Sequence, residues 1–153
     1  MMDFPEFPLD EDMPENVIRF HFEDVAFDIP AESALKNWLC SVAEKEEKPF
    51  YEVNYIFCSD EYLRKINVEY LNHDYYTDII TFPYDDSAVH GDMFISSERV
   101  TENAATNGVS FYQELYRVMV HGVLHMIGYG DKTPVEEETM RQKENHYLNL
   151  YSR

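Results

Sequence analysis

The segment Ser110–Ile127, SFYQELYRVMVHGVLHMI, constrains the fold of this chain more than any other. Leu115, Val118, Met119, Val120, Val123, Leu124, Met126 and Ile127 place apolar side chains nearly all the way round a helix. Such a helix is stable only where other elements cover it, so the rest of the chain must be arranged around it. No run of about 18 apolar residues exists to span a membrane, which makes this a core helix.

Two histidines inside a buried helix need a reason. His121 and His125 are spaced i, i+4, which puts them about 40° apart on one face, one turn above the other. A helix offers two imidazoles to a tetrahedral zinc at this spacing. Gly128 and Gly130 then let the helix end and the chain double back, so that Asp131 can reach the same ion as a third ligand. The pattern H-x-x-x-H-x-x-G-x-x-D has the ligand spacing of metzincin-type zinc helices, with Asp in place of the third His. Peptidases of that type carry a glutamate base directly after the first His. Here that residue is Gly122, which cannot abstract a proton and instead suggests a close approach of backbone or ligand. The competing reading is two core histidines bonded to backbone or tyrosine groups.

The remaining elements follow from periodicity. Strands are expected at Val17–Phe27, Tyr51–Cys58, Asp78–Tyr84 and Asp92–Ser96, with the turn-rich DDSAVHG joining the last two. Helices are expected over AESALKNWLCSVAEKEE after Pro30, from the Ser59 cap to Leu71 with Leu63, Ile66 and Tyr70 inward, and from Ser97 to Thr106 with Gly108 as the stop. A last helix starts at Pro134, with Glu136–Glu138 as its acidic first turn. The fold class is therefore α+β: a small mixed four-stranded sheet packed with about five helices.

The 153 residues have room for one core, expected over 16–153 behind an acidic, flexible segment 1–15. Thirty acidic residues against twelve basic ones give a net charge of −18, of which Asp3, Glu6, Asp10, Glu11, Asp12 and Glu15 lie in that first segment. A surface so negative excludes sequence-independent grip on nucleic acid through a basic patch. The start of the chain has neither a positive region nor an apolar one, so no secretory signal is read and a cytoplasmic location is expected. Cys40 and Cys58 form no CxxC pair and are expected to be reduced.

HGVLHMIGYGD, followed by EEETMRQKE at 136–144, resembles the YbeY family of single-strand-specific endoribonucleases, whose signature is HGxLHLxGYDH and then a helix with a Met and a Glu. EYLNHDYYTDIITFPY at 69–84 is similar to the family's LN…TDVLSFPF segment, and HGDMFIS at 90–96 to its GDI-x-IS strand. The resemblance implies a zinc-dependent hydrolase of single-stranded RNA that acts in ribosomal RNA maturation and ribosome quality control, with an rRNA precursor or the small ribosomal subunit as partner. It places His121 and His125 at the first two metal ligands and Asp131 where the family has a third His. The oxygen donor makes manganese or magnesium alternatives to zinc.

The chain departs from the family after the LN pair, where HDYY replaces a longer loop containing an arginine, a candidate phosphate contact. Arg117, one turn before His121, is a candidate to replace it; the other reading pairs Arg117 with a buried carboxylate such as Glu114. With three protein ligands and one open position, the ion is expected to carry the attacking water. No general base is assigned: Asp78 and Asp92 are available, but each is also suited to capping a strand or turn. Tyr75, Tyr76, Phe82 and Tyr84 could stack single-stranded bases, although most are expected in the core. Two other functions remain open. One is a metallohydrolase of another substrate class; the other is a non-catalytic ribosome-associated factor whose metal is closed off by a fourth ligand such as His146 or His90.

Overall fold

The computed structural model describes residues 17–151; the acidic segment 1–15 lies outside them. In chain order the elements are β1 (Ile18–Phe22), α1 (Glu32–Lys45), β2 (Phe50–Cys58), α2 (Asp60–Leu71), β3 (Ile79–Pro83), β4 (Val89–Ser96), α3 (Ser97–Asn107), α4 (Phe111–Ile127) and α5 (Pro134–Tyr151). The four strands form one mixed sheet in the order β1-β2-β4-β3. β1 and β4 both run parallel to β2, and β3 pairs antiparallel with β4. The α+β expectation of a four-stranded mixed sheet with about five helices is met.

The alternation along β4 sorts the two faces. Val89, Gly91, Met93 and Ile95 turn inward against α4, while His90, Asp92 and Phe94 face the other way. The inward face joins α1, α4 and α5 in the main core, with Leu35, Leu39, Leu115, Met119 and Leu124 fully buried. Tyr55 is buried too, and its hydroxyl donates to the Met119 carbonyl at 3.0 Å, tying the sheet to the middle of α4. A second, smaller cluster on the far face gathers Cys58, Leu63 and Ile80, with Ile66, Phe82 and Phe94 against it.

Gly122 explains how α4 lies so close to the sheet. A Cβ at this position would stand 2.3 Å from Met93 Sδ and 3.0 Å from Ile79 Cδ1. The helix therefore settles onto β3 and β4 at its glycine, which carries His121 toward the neighbouring strand end. The same geometry disposes of a peptidase-type base, because a side chain at 122 would start out pressed into the sheet.

Local chemistry sets the ends of the helices. Ser110 and Gln113 form a reciprocal capping box at the start of α4. Gly128, at φ 130°, ends the helix, and Gly108, at φ 69°, ends α3 as expected. Ser59 caps α2 by accepting from the Tyr62 N–H.

Three expectations are corrected. β1 stops at Phe22, not Phe27, because the Asp24 carboxylate accepts from both the Ser59 N–H and its hydroxyl and pulls the chain off the sheet. β4 starts at Val89, inside the stretch read as a turn, since Val89 and Gly91 already pair with β2. Tyr70, expected inward, is 61% exposed and meets the Phe82 ring in an edge-on arrangement. Cys58 is buried and Cys40 half-buried, and both are free thiols.

Candidate active site

α4 is buried along most of its length but leaves one strip open, and that strip carries both histidines. His121 is half-buried and His125 exposed, with their rings nearly parallel and 6.4 Å apart between centroids. Each is held by its Nδ1. His121 Nδ1 lies 2.7 Å from Glu144 Oε2 on α5. His125 Nδ1 lies 3.1 Å from the carbonyl oxygen of Tyr129, just past the helix end. Both Nε2 atoms are thereby left for other use, the arrangement in which metal-ligating histidines are usually held.

The turn after α4 brings Asp131 back. Its Oδ2 stands 3.4 Å from His121 Nε2. Two donors each about 2.0–2.1 Å from a tetrahedral ion are separated by about 3.4 Å, so this edge has the length of a ligand pair. The turn is well anchored: Glu136 accepts from the Lys132 N–H, and Thr133 caps the Glu136 N–H. Gly130 leaves room for this, because a Cβ there would stand 2.7 Å from the Glu136 carboxylate.

His121 and Asp131 thus meet, while His125 lies one turn away. Among the described residues no three His, Cys, Asp or Glu side chains are already drawn around one point. His125 keeps its Nδ1 bond to the Tyr129 carbonyl there, which leaves its Nε2 as the atom for an ion. The donor set, two imidazole nitrogens and a carboxylate, suits zinc and admits harder divalent ions.

Behind His121 is a buried charge network. Glu144 is 6% exposed and receives Arg117 Nη1 at 2.9 Å on one oxygen and His121 on the other. The second Arg117 nitrogen donates to Asn145 Oδ1 at 2.8 Å. Burial disfavours charge on Glu144, but the bonds from His121 and Arg117 outweigh it and hold its carboxyl below the usual range. Burial likewise opposes a charged His121. The Glu144 bond, helped by Asp78 and Asp131, prevails and raises its pKa. Asp78, just before β3, has its pKa raised by desolvation against the opposing pull of His121.

These residues line an open pocket of about 670 Å³ that includes Asp78, Arg117, His121, Asp131, Arg141 and Glu144. The Arg117 reading needs correction in one respect: its carboxylate partner is Glu144, not Glu114. Asp92 is structural, accepting from Asn54 at 3.1 Å and from the Tyr84 hydroxyl on the far sheet face. His90 packs between the rings of Tyr51 and Tyr84, and His146 lies exposed against Tyr147; neither lines the pocket. Tyr75, Tyr76 and Tyr84 are 54%, 51% and 60% exposed, against the expectation of core positions, while Phe82 packs in the smaller cluster. Glu144 was not singled out from the sequence. Its only signal was the glutamate of the last helix in the family pattern.

A comparison with protein-family models matches residues 17–152 to the family described as Endoribonuclease YbeY. The chain belongs to the endoribonuclease YbeY family, a family of enzymes. Among curated relatives, the Endoribonuclease YbeY of Flavobacterium johnsoniae is 49% identical over 136 residues, covering 88% of this chain and 97% of the relative. That of Amoebophilus asiaticus is 45% identical over 138 residues, covering 89% and 94%. A Thermotoga maritima protein solved in solution superposes with a TM-score of 0.63 at 26% identity, covering 88% of this chain and 89% of that one. No helix among the described residues is long and apolar enough to cross a membrane.

Proposed function

We propose that this protein is a metal-dependent endoribonuclease that hydrolyses phosphodiester bonds of single-stranded RNA, with His121, His125 and Asp131 holding one zinc ion. The observation that carries the reading is the 3.4 Å edge between His121 Nε2 and Asp131 Oδ2 on the wall of an open pocket, with the Nδ1 of each histidine already engaged. A divalent ion bound there supplies Lewis-acid polarisation of the phosphodiester and activation of water. The chain's own residues do the rest. Glu144 fixes the ring of His121 so that Nε2 faces Asp131, and Arg117 keeps Glu144 ionised. Asp78, half-buried and with a raised pKa, stands in the pocket as a candidate to hold a proton near the reacting water.

The pocket wall also carries Asp78, Glu114, Asp131, Glu137, Glu138 and Glu144 against Arg117 and Arg141. So acidic a site attracts cations and repels a free polyanion. On this reading the small ribosomal subunit or an rRNA precursor presents the strand and supplies part of the affinity, in a cytoplasmic role in ribosomal RNA maturation and ribosome quality control. The same acidity favours a second reading, a ribosome-associated factor with a structural metal.

Metal content and cleavage of a single-stranded ribosomal RNA fragment, measured together on wild type, His121→Ala and Arg117→Ala, separate the two. Cleavage that disappears with the metal in His121→Ala supports the nuclease. One zinc per wild-type chain with no cleavage overturns it in favour of the structural metal.

A further inference from the structure

Beside the pocket just described lies a second cavity of about 450 Å³, between α4, α5 and the end of α3. The two share Glu114, Arg117 and Arg141 as a common wall. We propose that this second cavity seats the nucleotide adjoining the one being cut, with Arg141 on the phosphate that links them. The proposal rests on the endoribonuclease reading and deepens it.

The cavity is built like a nucleobase site. Its volume lies within the range of small-molecule pockets. The rings of Tyr116 and Tyr151 line it, perpendicular to each other with centroids 5.3 Å apart. Tyr151 is backed in turn by Trp38, stacked at 4.6 Å, so the aromatic wall is supported from behind. Aromatic faces hold single-stranded bases with little dependence on sequence. Asn107 and the buried Glu114 also line it, Asn107 Nδ2 donating to Glu114 Oε1 at 3.4 Å, so an amide and a carboxylate lie together on the wall for the edge of a base.

The cations on the common wall differ in availability. Both terminal nitrogens of Arg117 are committed, one to Glu144 and one to Asn145. Arg141 is exposed and makes no ion pair or hydrogen bond among the described residues. Partners are at hand, since Glu137 and Glu138 precede it by one helical turn, yet Glu138 instead accepts from Gln142 at 3.1 Å. The other arginines among the described residues, Arg19, Arg64, Arg99 and Arg117, are all paired with carboxylates. In a chain with thirty acidic residues and twelve basic ones, a free guanidinium on the wall between two cavities is placed to receive an anion that spans both. Its planar fork suits a phosphate.

The test is steady-state cleavage of oligoribonucleotides, shortened one nucleotide at a time from either end, by metal-loaded wild type, Arg141→Ala, Arg141→Lys and His121→Ala. Arg141→Ala should raise KM about tenfold on the longer substrates with kcat within about twofold, and should lower the salt dependence of binding by about one charge. Arg141→Lys should restore the salt dependence but only part of KM. Removing the nucleotide that fills the second cavity should raise KM in wild type and raise it less in Arg141→Ala, where only the contacts of the base remain to be lost. If Arg141→Ala cuts every substrate with wild-type KM while His121→Ala is dead, the subsite is refuted and the nuclease stands. A fall in kcat with KM unchanged also overturns the subsite, placing Arg141 in the chemistry instead. A metal-loaded wild type that cuts none of the substrates overturns the nuclease reading and the subsite with it.

Discussion

His121 and His125 stand one turn apart on one face of α4, yet different parts of the chain hold them. His121 is fixed by a side chain 23 positions later, the buried Glu144, which Arg117 holds in turn. His125 is fixed by a backbone carbonyl only four residues on, in the turn that the α4 sequence itself forms. One half of the site therefore depends on the docking of α5, and the other on local chain geometry. Substitutions should expose the difference. The His121 half can be dismantled from a distance, whereas the His125 half can be altered only by changing the course of the backbone.

The largest effect short of removing a proposed ligand is expected from Glu144→Gln. Its oxygen would remain with Arg117, and its amide would then donate to His121 Nδ1. That forces the ring proton onto Nε2, the atom proposed for the ion. Zinc affinity should fall by about 10- to 100-fold, as is usual when such a supporting bond is lost. Competition with a calibrated chelator measures it, and an unchanged affinity would mean that Glu144 does not orient His121.

Next comes Gly122→Ala, which tests the seating of α4 that both histidines share. The new methyl would collide with Met93 Sδ, which is fully buried. Overpacking costs about 1–3 kcal/mol and the gain in helix propensity returns about 1 kcal/mol. A net destabilisation of up to about 2 kcal/mol should show in urea titrations; a stabilised variant would contradict the close contact.

A smaller effect is expected of Tyr129→Phe. The carbonyl that holds His125 is retained, and only the hydroxyl bond to Glu46 Oε1, 2.7 Å long, is lost. Zinc affinity should stay within about twofold, and stability should drop by about 0.5–1.5 kcal/mol. A large loss of zinc would show that His125 is not held locally after all.

The smallest effect concerns pH. Burial would raise the Glu46 carboxyl, but bonds from Tyr147, Tyr129 and Lys143 bring it below its usual 4.5. The folded protein thus binds fewer protons here than the unfolded chain, so this contribution is present above pH 4.5 and is lost as pH falls through the folded value. Glu46→Gln should flatten the acid limb of a stability–pH curve. An acid limb as steep as wild type's would assign the sensitivity to other carboxylates.

The comparison of the two histidines also shows what could be read from the sequence. The apolar circumference of Ser110–Ile127, the i, i+4 pair and the glycine break are local patterns, and they led to the helix, its burial and the return of Asp131. The four strands were legible for the same reason, to within a residue or so except at the end of β1 and the start of β4. Both of those boundaries are set by partners far along the chain: the hydrogen bonds of Asp24 to Ser59, and the pairing of Val89 and Gly91 with β2. Apart from the family pattern, Glu144 was hidden because its residue type matches that of the exposed glutamates of α5 until α5 packs on α4. The carbonyl of Tyr129 has no sequence signature at all. The carboxylate partner of Arg117 was hidden in the same way, because it lies on another helix.

The most direct test is a zinc titration of chelator-stripped protein in which bound metal and cleavage of single-stranded ribosomal RNA are followed in the same samples. Cleavage should rise in step with zinc and level off at one ion per chain, and His121→Ala and Asp131→Ala should show neither. Cleavage by the stripped protein, or one tightly bound zinc per chain with no cleavage at any point, would contradict the zinc-dependent nuclease.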